Sequence, residues 1–182
     1  MPTVLTLLAE GFEEIEATAP IDLLRRAGVE VTVAALGESL DVPGRNGITQ
    51  KADVTLASVL AEPTRTFDCL FLPGGPGVKS LRADPRVKPL VLAQNAANRW
   101  IAAICAAPTV LHDAGLLNGR RYTAHFSVEN ELTAILASER VVVDGNVITS
   151  RGAGTALEFG LMLVEKLVSA EKSREVAASI CL

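Results

Sequence analysis

The sequence contains few of the residues that build disulfide scaffolds and metal sites. Its three cysteines, Cys69, Cys105 and Cys181, are an odd number, lie far apart and form no Cys-x-x-Cys pair, and only two histidines accompany them. A disulfide framework or a zinc site is therefore not expected. This cysteine content fits a reducing compartment, so we expect a cytoplasmic protein.

An excess of positive charge and long apolar runs are also missing. The formal net charge is −4, which gives no basic surface for nucleic acid as a main partner. The longest apolar run, Trp100–Leu111, is too short to span a bilayer. The apolar start of the chain lacks the basic residues of a signal peptide and meets Glu10 at once, so it predicts a first core strand.

What the sequence does contain is a regular alternation of short apolar segments with helical patterns. Hydrophobic residues make up 49 % of the 182 residues, which favours one α/β domain over residues 1–182 with a sheet buried on both faces. Strands are predicted at Thr3–Ala9, Val29–Leu36, Cys69–Leu72, Ile101–Ile104, Arg121–Ala124, Arg140–Asp144 and Val147–Ser150, with an irregular segment or small hairpin over 41–54. This alternation predicts a doubly wound, mostly parallel sheet whose functional residues lie at the carboxyl ends of the strands.

Helices are predicted between these strands from apolar residues at helical spacing. They are expected at Glu13–Ala27, Asp84–Asn98, Thr155 to about Ser169, and Glu171–Ala178. The first helix has its predicted buried stripe at Ile15, Ala19, Leu23 and Ala27. Pro85 is expected at the first position of the second helix, and Thr155-x-x-Glu158 predicts a capping box.

Cys105 is the first candidate for chemistry. It lies between an apolar strand and a predicted helix and is flanked by the small residues Ala103 and Ala107. This spacing is typical of the tight strand-to-helix turn that exposes a nucleophile, and a helix N-terminus would lower the pKa of the thiol. The alternative is a buried cysteine that acts as a small hydrophobe.

The predicted strand ends supply further candidates at the same edge. Among the acidic residues after the first strand, Glu16 adjoins the predicted buried stripe, and a buried carboxyl is a candidate proton donor or acceptor. Helix-terminal electrostatics alone would also explain these acidic residues. The run Leu72-Pro73-Gly74-Gly75-Pro76-Gly77 is either a tight turn or a source of backbone N–H groups for an oxyanion.

Of the two histidines, His125 is the one expected at the same edge of the sheet as Cys105. It follows an apolar segment and precedes Ser127, a candidate helix cap, whereas His112 lies among polar residues on the helix after Cys105. A cysteine and a histidine at separate strand ends suit thiol chemistry. A histidine that only hydrogen-bonds a loop is the alternative.

Five segments in this order resemble the ThiJ/PfpI superfamily, and within it the branch of the Parkinsonism-associated deglycase/glyoxalase III proteins and their bacterial homologues. The segments are Gly11–Glu16, Leu23–Gly28, Leu72–Gly75, Ala102–Thr109 and Thr149–Thr155. The resemblance covers nearly the whole chain and implies a flavodoxin-like fold and a homodimer that needs no metal or glutathione.

The resemblance also implies the roles of individual residues. It places the nucleophile on Cys105, its glutamate partner on Glu16, the site histidine on His125, and the amides that hold an oxyanion or oxidised sulfur on Gly75 and Ala106. The implied activity is a cofactor-free glyoxalase III or deglycase reaction on methylglyoxal, related 2-oxoaldehydes or their glycated adducts.

Three other functions remain open. A redox-responsive stress protein or chaperone would use an oxidisable Cys105 with little turnover. An amidotransferase-like glutaminase is expected with a synthetase domain, and none accompanies the α/β domain in these 182 residues. A cysteine peptidase of the superfamily carries a histidine directly after the nucleophile, where this chain has Ala106.

Overall fold

A mixed sheet forms the centre of the molecule, for which a computed structural model describes residues 1–62 and 64–182. Its strands are β1 (Thr3–Leu8), β2 (Glu30–Ala35), β5 (Val54–Thr55), β6 (Cys69–Leu72), β7 (Trp100–Ile104), β8 (Val141–Asp144) and β9 (Val147–Ser150), in the order β5-β2-β1-β6-β7-β9-β8. All neighbours are parallel except β8 and β9, which form an antiparallel hairpin. A separate hairpin, β3 (Asp41–Pro43) with β4 (Thr49–Lys51), lies in the segment where one was considered.

Helices cover both faces of this sheet. They are α1 (Glu14–Arg26), α2 (Leu56–Leu60), α3 (Val78–Ala83), α4 (Val87–Ala96), α5 (Pro108–Asp113), α6 (Ala156–Leu167) and α7 (Ala170–Ser179). One apolar cluster packs α1, α6 and α7 on one face, and a second packs α2 to α5 on the other. The predicted doubly wound α/β class is therefore confirmed, because burial on both faces is what a parallel sheet requires. Among the described residues, no helix is both long and apolar enough to cross a membrane.

The strand predicted at Arg121–Ala124 is wrong. Both sides of β7 are already occupied, by β6 and β9, so this segment does not pair with the strand that holds Cys105. Its backbone bonds go elsewhere: Thr123 N donates to Thr149 Oγ1 at 2.9 Å, and Tyr122 O accepts from Leu136 N at 3.0 Å.

Two predicted helix starts also differ from the structure. The helix expected from Asp84 begins at Val87, because Asp84 Oδ1 accepts from Arg86 N at 2.9 Å and holds Pro85 in a turn after the unpredicted helix α3. The Thr155–Glu158 capping box is absent from α6. Thr155 Oγ1 instead bonds Gly152 and Ser150, and Glu158 pairs with Arg140.

The predicted buried stripe of α1 is wrong at Ile15, which is 55 % exposed. The inner face of α1 is formed by Ala17, Ile21, Leu23 and Leu24, and in the first turn by the carboxyl side chains of Glu14 and Glu16. The first turn of α1 thus directs acidic groups inward at the carboxyl edge of the sheet. Glu16 was expected there, but the burial of Glu14 was not predicted, because an apolar pattern treats carboxylates as outward-facing.

Candidate active site

Cys105 lies in a strained turn between β7 and α5. Its φ of +65° is in the left-handed region, which L-residues other than glycine seldom adopt outside functional sites. The turn is fixed on both sides, since Cys105 N donates to Ser150 O and Cys105 O accepts from His125 N, each at 2.9 Å. The tight strand-to-helix turn predicted at Cys105 is therefore present, and Cys105 is 8 % exposed.

Glu16 reaches the same point from the first turn of α1. It is 2 % exposed, and Glu13 begins the helix by accepting from Glu16 N at 2.8 Å. A Cβ on Gly74 would collide with Glu16 Oε2 and lie only 2.6 Å from Cys105 Cβ. Position 74 therefore has to be glycine for the carboxyl and the cysteine to meet.

Burial raises the pKa of Glu16 to about 7, and the charge of Glu13 adds to this effect. The Cys105 side chain and the amides of Gly74 and Ala153 oppose it. Even so, no group among the described residues completes a well-formed hydrogen bond to Glu16 Oε2. Glu16 is thus a carboxyl that takes up and releases a proton near neutral pH, as a general acid–base group requires.

The low pKa expected for the Cys105 thiol is contradicted while Glu16 is ionised. Burial, the charge of Glu16 and the hydrogen bond to its carboxylate raise the pKa of Cys105 to about 12, and the amides of Gly75 and Ala106 lower it. Helix α5 has only six residues, so its dipole contributes little. The two groups titrate together. A proton on Glu16 removes the repulsion and turns the carboxyl into a donor toward sulfur.

Gly75 and Ala106 place backbone N–H groups beside the sulfur. Both amides lower the pKa of Cys105, and within the described chain neither donates to another carbonyl. Gly75 has φ +92°, and a Cβ there would lie 2.6 Å from Glu13 N and 2.7 Å from Gly11 O. The glycine run therefore does more than form a turn. Gly75 allows this segment to pack against the backbone of Gly11 and Glu13, which places its N–H group beside the sulfur of Cys105.

His125 faces this group from the loop after α5. Its Nδ1 accepts from Ser127 N at 3.2 Å and lies 2.8 Å from Ser127 Oγ, so His125 begins the short 3-10 helix Phe126–Val128. Since a backbone N–H can only donate, we assign the proton of the neutral ring to Nε2. Burial, Arg151 and Arg45 lower the pKa of His125 and keep it neutral. His112, by contrast, is exposed on α5.

A cavity of about 650 Å³ opens at this edge of the sheet, and we refer to it as the site cavity. It is lined by Cys105, Glu16, His125, Gly75 and Ala106, so the structure brings all five predicted site residues together. Further lining residues include Arg45, Asn46, Lys79, Arg82, Thr109 and Glu131. Cys69 is buried in β6 and Cys181 is exposed near the carboxyl end, both outside this cavity.

The profile of the DJ-1/PfpI family matches residues 2–166. The chain belongs to the DJ-1/PfpI family. A family match over this range agrees with the resemblance found in the sequence motifs, and it supports a DJ-1-type function.

Members of the DJ-1/PfpI family match both the sequence and the fold. Protein DJ-1 homolog A of Arabidopsis thaliana is 43 % identical over 96 % of this chain, which covers 45 % of that protein. The glutathione-independent glyoxalase DJR-1.2 of Caenorhabditis elegans is 37 % identical, over 98 % of this chain and 95 % of the relative. The crystal structure of Drosophila melanogaster DJ-1beta superposes with a TM-score of 0.94 at 39 % identity, covering 100 % of this chain and 98 % of that one. The chain thus spans less than half the length of the Arabidopsis relative.

The three cationic residues that line the site cavity in the described part of the chain were not predicted from the sequence. Arg45 lies at the tip of the β3–β4 hairpin, while Lys79 and Arg82 lie on α3, a helix that was not predicted. No motif marks these residues, because their position depends on how the hairpin and helix dock. In the described residues, no group of three or more His, Cys, Asp and Glu side chains is arranged to hold a metal ion.

Proposed function

We propose that the protein is a cysteine-dependent, cofactor-free enzyme that converts 2-oxoaldehydes such as methylglyoxal, or their adducts, to 2-hydroxy acids. The observation that carries this proposal is the convergence of Cys105, Glu16 and His125 on one cavity. It is supported by the relative that is named as a glutathione-independent glyoxalase.

In the first step, the Cys105 sulfur bonds to the aldehyde carbon. The carbonyl π electrons move to oxygen, and the proton held by the Glu16–Cys105 pair moves there too, giving a hemithioacetal and an ionised Glu16. The amides of Gly75 and Ala106 stabilise the negative charge that develops on the way. No outside acid is needed, because the pKa of Glu16 near 7 lets it carry this proton.

In the second step, ionised Glu16 removes the C–H proton from the sulfur-bearing carbon. The electron pair forms an enediol as His125 Nε2–H gives its proton to the oxygen of the neighbouring carbon. Glu16 then returns its proton to that carbon, and the hydroxyl proton of the sulfur-bearing carbon passes back to His125 Nε2 as the thioester carbonyl forms. One carbon is oxidised and the other reduced, so no external oxidant takes part. The product is a thioester on Cys105, and water cleaves it to the 2-hydroxy acid and the free thiol.

The deciding experiment measures lactate formed from methylglyoxal without glutathione or added metal. Cys105→Ala is expected to abolish the activity with the fold intact, and the exposed Cys181→Ala is the matched control that retains it. Full activity of the Cys105 variant would end the enzymatic proposal. The resemblance also implies a homodimer, which analytical ultracentrifugation of the same samples tests.

A further inference from the structure

Two cations of the site cavity have no role in the proposed chemistry. Three cationic side chains line it, Arg45, Lys79 and Arg82. Arg82 is neutralised by Asp113, which it contacts at 2.7 and 3.0 Å, and by Glu131 at 2.8 Å. Within the described residues, Arg45 and Lys79 form no ion pair.

The carboxylates of the cavity are already engaged. Glu131 pairs with Arg82, and Glu13 accepts from Glu16 N at the start of α1. Glu16 belongs to the reacting pair. Among the described residues, Arg45 and Lys79 are therefore the cations of the cavity that no carboxylate pairs with, in a chain whose net charge is −4.

Hydrogen bonds to helix α1 and to the segment before it fix the backbone at Arg45. Its N–H donates to Phe12 O at 2.9 Å. The next residue, Asn46, is bound by the Glu14 carboxylate through its backbone N at 2.7 Å and through Nδ2 at 3.0 Å. The Arg45 charge acts at the reacting centre, since it lowers the pKa of His125. Lys79 approaches the same cavity from α3.

We propose that the preferred substrates are 2-oxoaldehydes that carry an acidic group, a carboxylate or a phosphate, which Arg45 and Lys79 bind. This inference rests on the proposed function and deepens it. The cavity volume, about 650 Å³, lies in the range of sites for much larger ligands than a three-carbon aldehyde. An arginine fork and a lysine ammonium are the groups that proteins use for carboxylates and phosphates.

Two isosteric substrates test this proposal. 4,5-Dioxopentanoate carries a carboxylate where 5-methyl-2-oxohexanal carries an isopropyl group of similar size, and the products are 2-hydroxyglutarate and 2-hydroxy-5-methylhexanoate. The ratio of kcat/KM for the acidic over the neutral substrate is expected to be well above one in the wild type. It is expected to fall about fivefold in Arg45→Gln and in Lys79→Gln, the effect of one exposed charge pair. Lys88→Gln removes an exposed charge outside the cavity and is expected to keep the wild-type ratio.

The outcomes separate the two proposals. If the wild type turns over neither aldehyde, the proposed function fails. If it turns over both with a ratio near one, or if Lys88→Gln lowers the ratio as much as Arg45→Gln, only the acidic-group inference is overturned. Inhibition of neutral-substrate turnover by inorganic phosphate and by acetate, at equal ionic strength, then identifies which anion binds more tightly.

Discussion

At the scale of single residues, the surroundings of Glu16 disfavour the ionised form of its carboxyl group. It is 2 % exposed, and Oε2 accepts no well-formed hydrogen bond from the described residues. Burial therefore raises the pKa of Glu16 from 4.5 to about 7. Between these values the folded protein binds a proton that the unfolded chain has released, so the free energy of unfolding falls as the pH rises through this window.

Glu16→Gln is expected to remove this pH dependence, because glutamine stays neutral. Relative to the variant, the wild type should lose about 3 kcal/mol of unfolding free energy between pH 4 and pH 8. Urea unfolding of both proteins across this range measures the difference. The exposed Glu10→Gln serves as the control and should follow the wild type. If the free energy of unfolding of the wild type instead increases relative to that of Glu16→Gln as the pH rises, the pKa of Glu16 is not raised.

At the scale of elements, the neighbouring Glu14 joins helix α1 to the β3–β4 hairpin. Its carboxylate accepts from Asn46 N, Asn46 Nδ2 and Ile48 N at 2.7, 3.0 and 3.4 Å. Burial opposes the ionisation of Glu14, but its own amide and these N–H donors outweigh burial and lower its pKa. Glu14 therefore acts as an ionised anchor, next to Glu16, which keeps its proton to near neutral pH.

Glu14→Ala is expected to lower the free energy of unfolding by about 1–2 kcal/mol, since three N–H groups lose a charged acceptor. The same variant should speed hydrogen exchange at the Asn46 amide. Glu10→Ala, an exposed site just before α1, should change neither quantity. If exchange at Asn46 is unaltered in Glu14→Ala, the hairpin is held by its backbone contacts to Gly11 and Phe12 instead.

The sequence predicts elements best where apolar patterning decides them. The core strands at Cys69–Leu72 and Val147–Ser150 form where they were predicted, because buried parallel strands are apolar on both faces. Arg121–Ala124 was also predicted as a strand, but its backbone bonds to the Thr149 side chain and to Leu136 instead of to a strand, and only the tertiary structure shows this. Cys105 was predicted because it follows an apolar strand, and Glu16 because it adjoins the predicted buried stripe of α1. His125 was predicted from an apolar segment that does not form a strand. Arg45 and Lys79 were not, because hairpin and helix docking brings them to the cavity.

At the scale of the whole molecule, the fold gives its three thiols very different surroundings. Cys69 is fully buried in β6, where burial strongly raises its pKa. Cys181 is exposed near the carboxyl end. Cys105 has cavity access, two backbone amides and a protonatable carboxyl beside the sulfur. These surroundings also fit the alternative in which Cys105 is an oxidation sensor with little turnover.

Mild peroxide is expected to convert Cys105 to the sulfinic acid before either of the other cysteines is modified to that stage. Oxidation follows thiolate character and access, and the amides of Gly75 and Ala106 are placed to hold the added oxygens once Glu16 carries its proton. Cys69 should stay reduced, because peroxide does not reach it in the core. Peptide mass spectrometry over a peroxide series follows all three thiols, and Glu16→Leu, which cannot donate a proton, should slow the reaction at Cys105. If Cys181 forms sulfinic acid first, the oxidation-sensor function of Cys105 is excluded, and its proposed role as a nucleophile is unaffected.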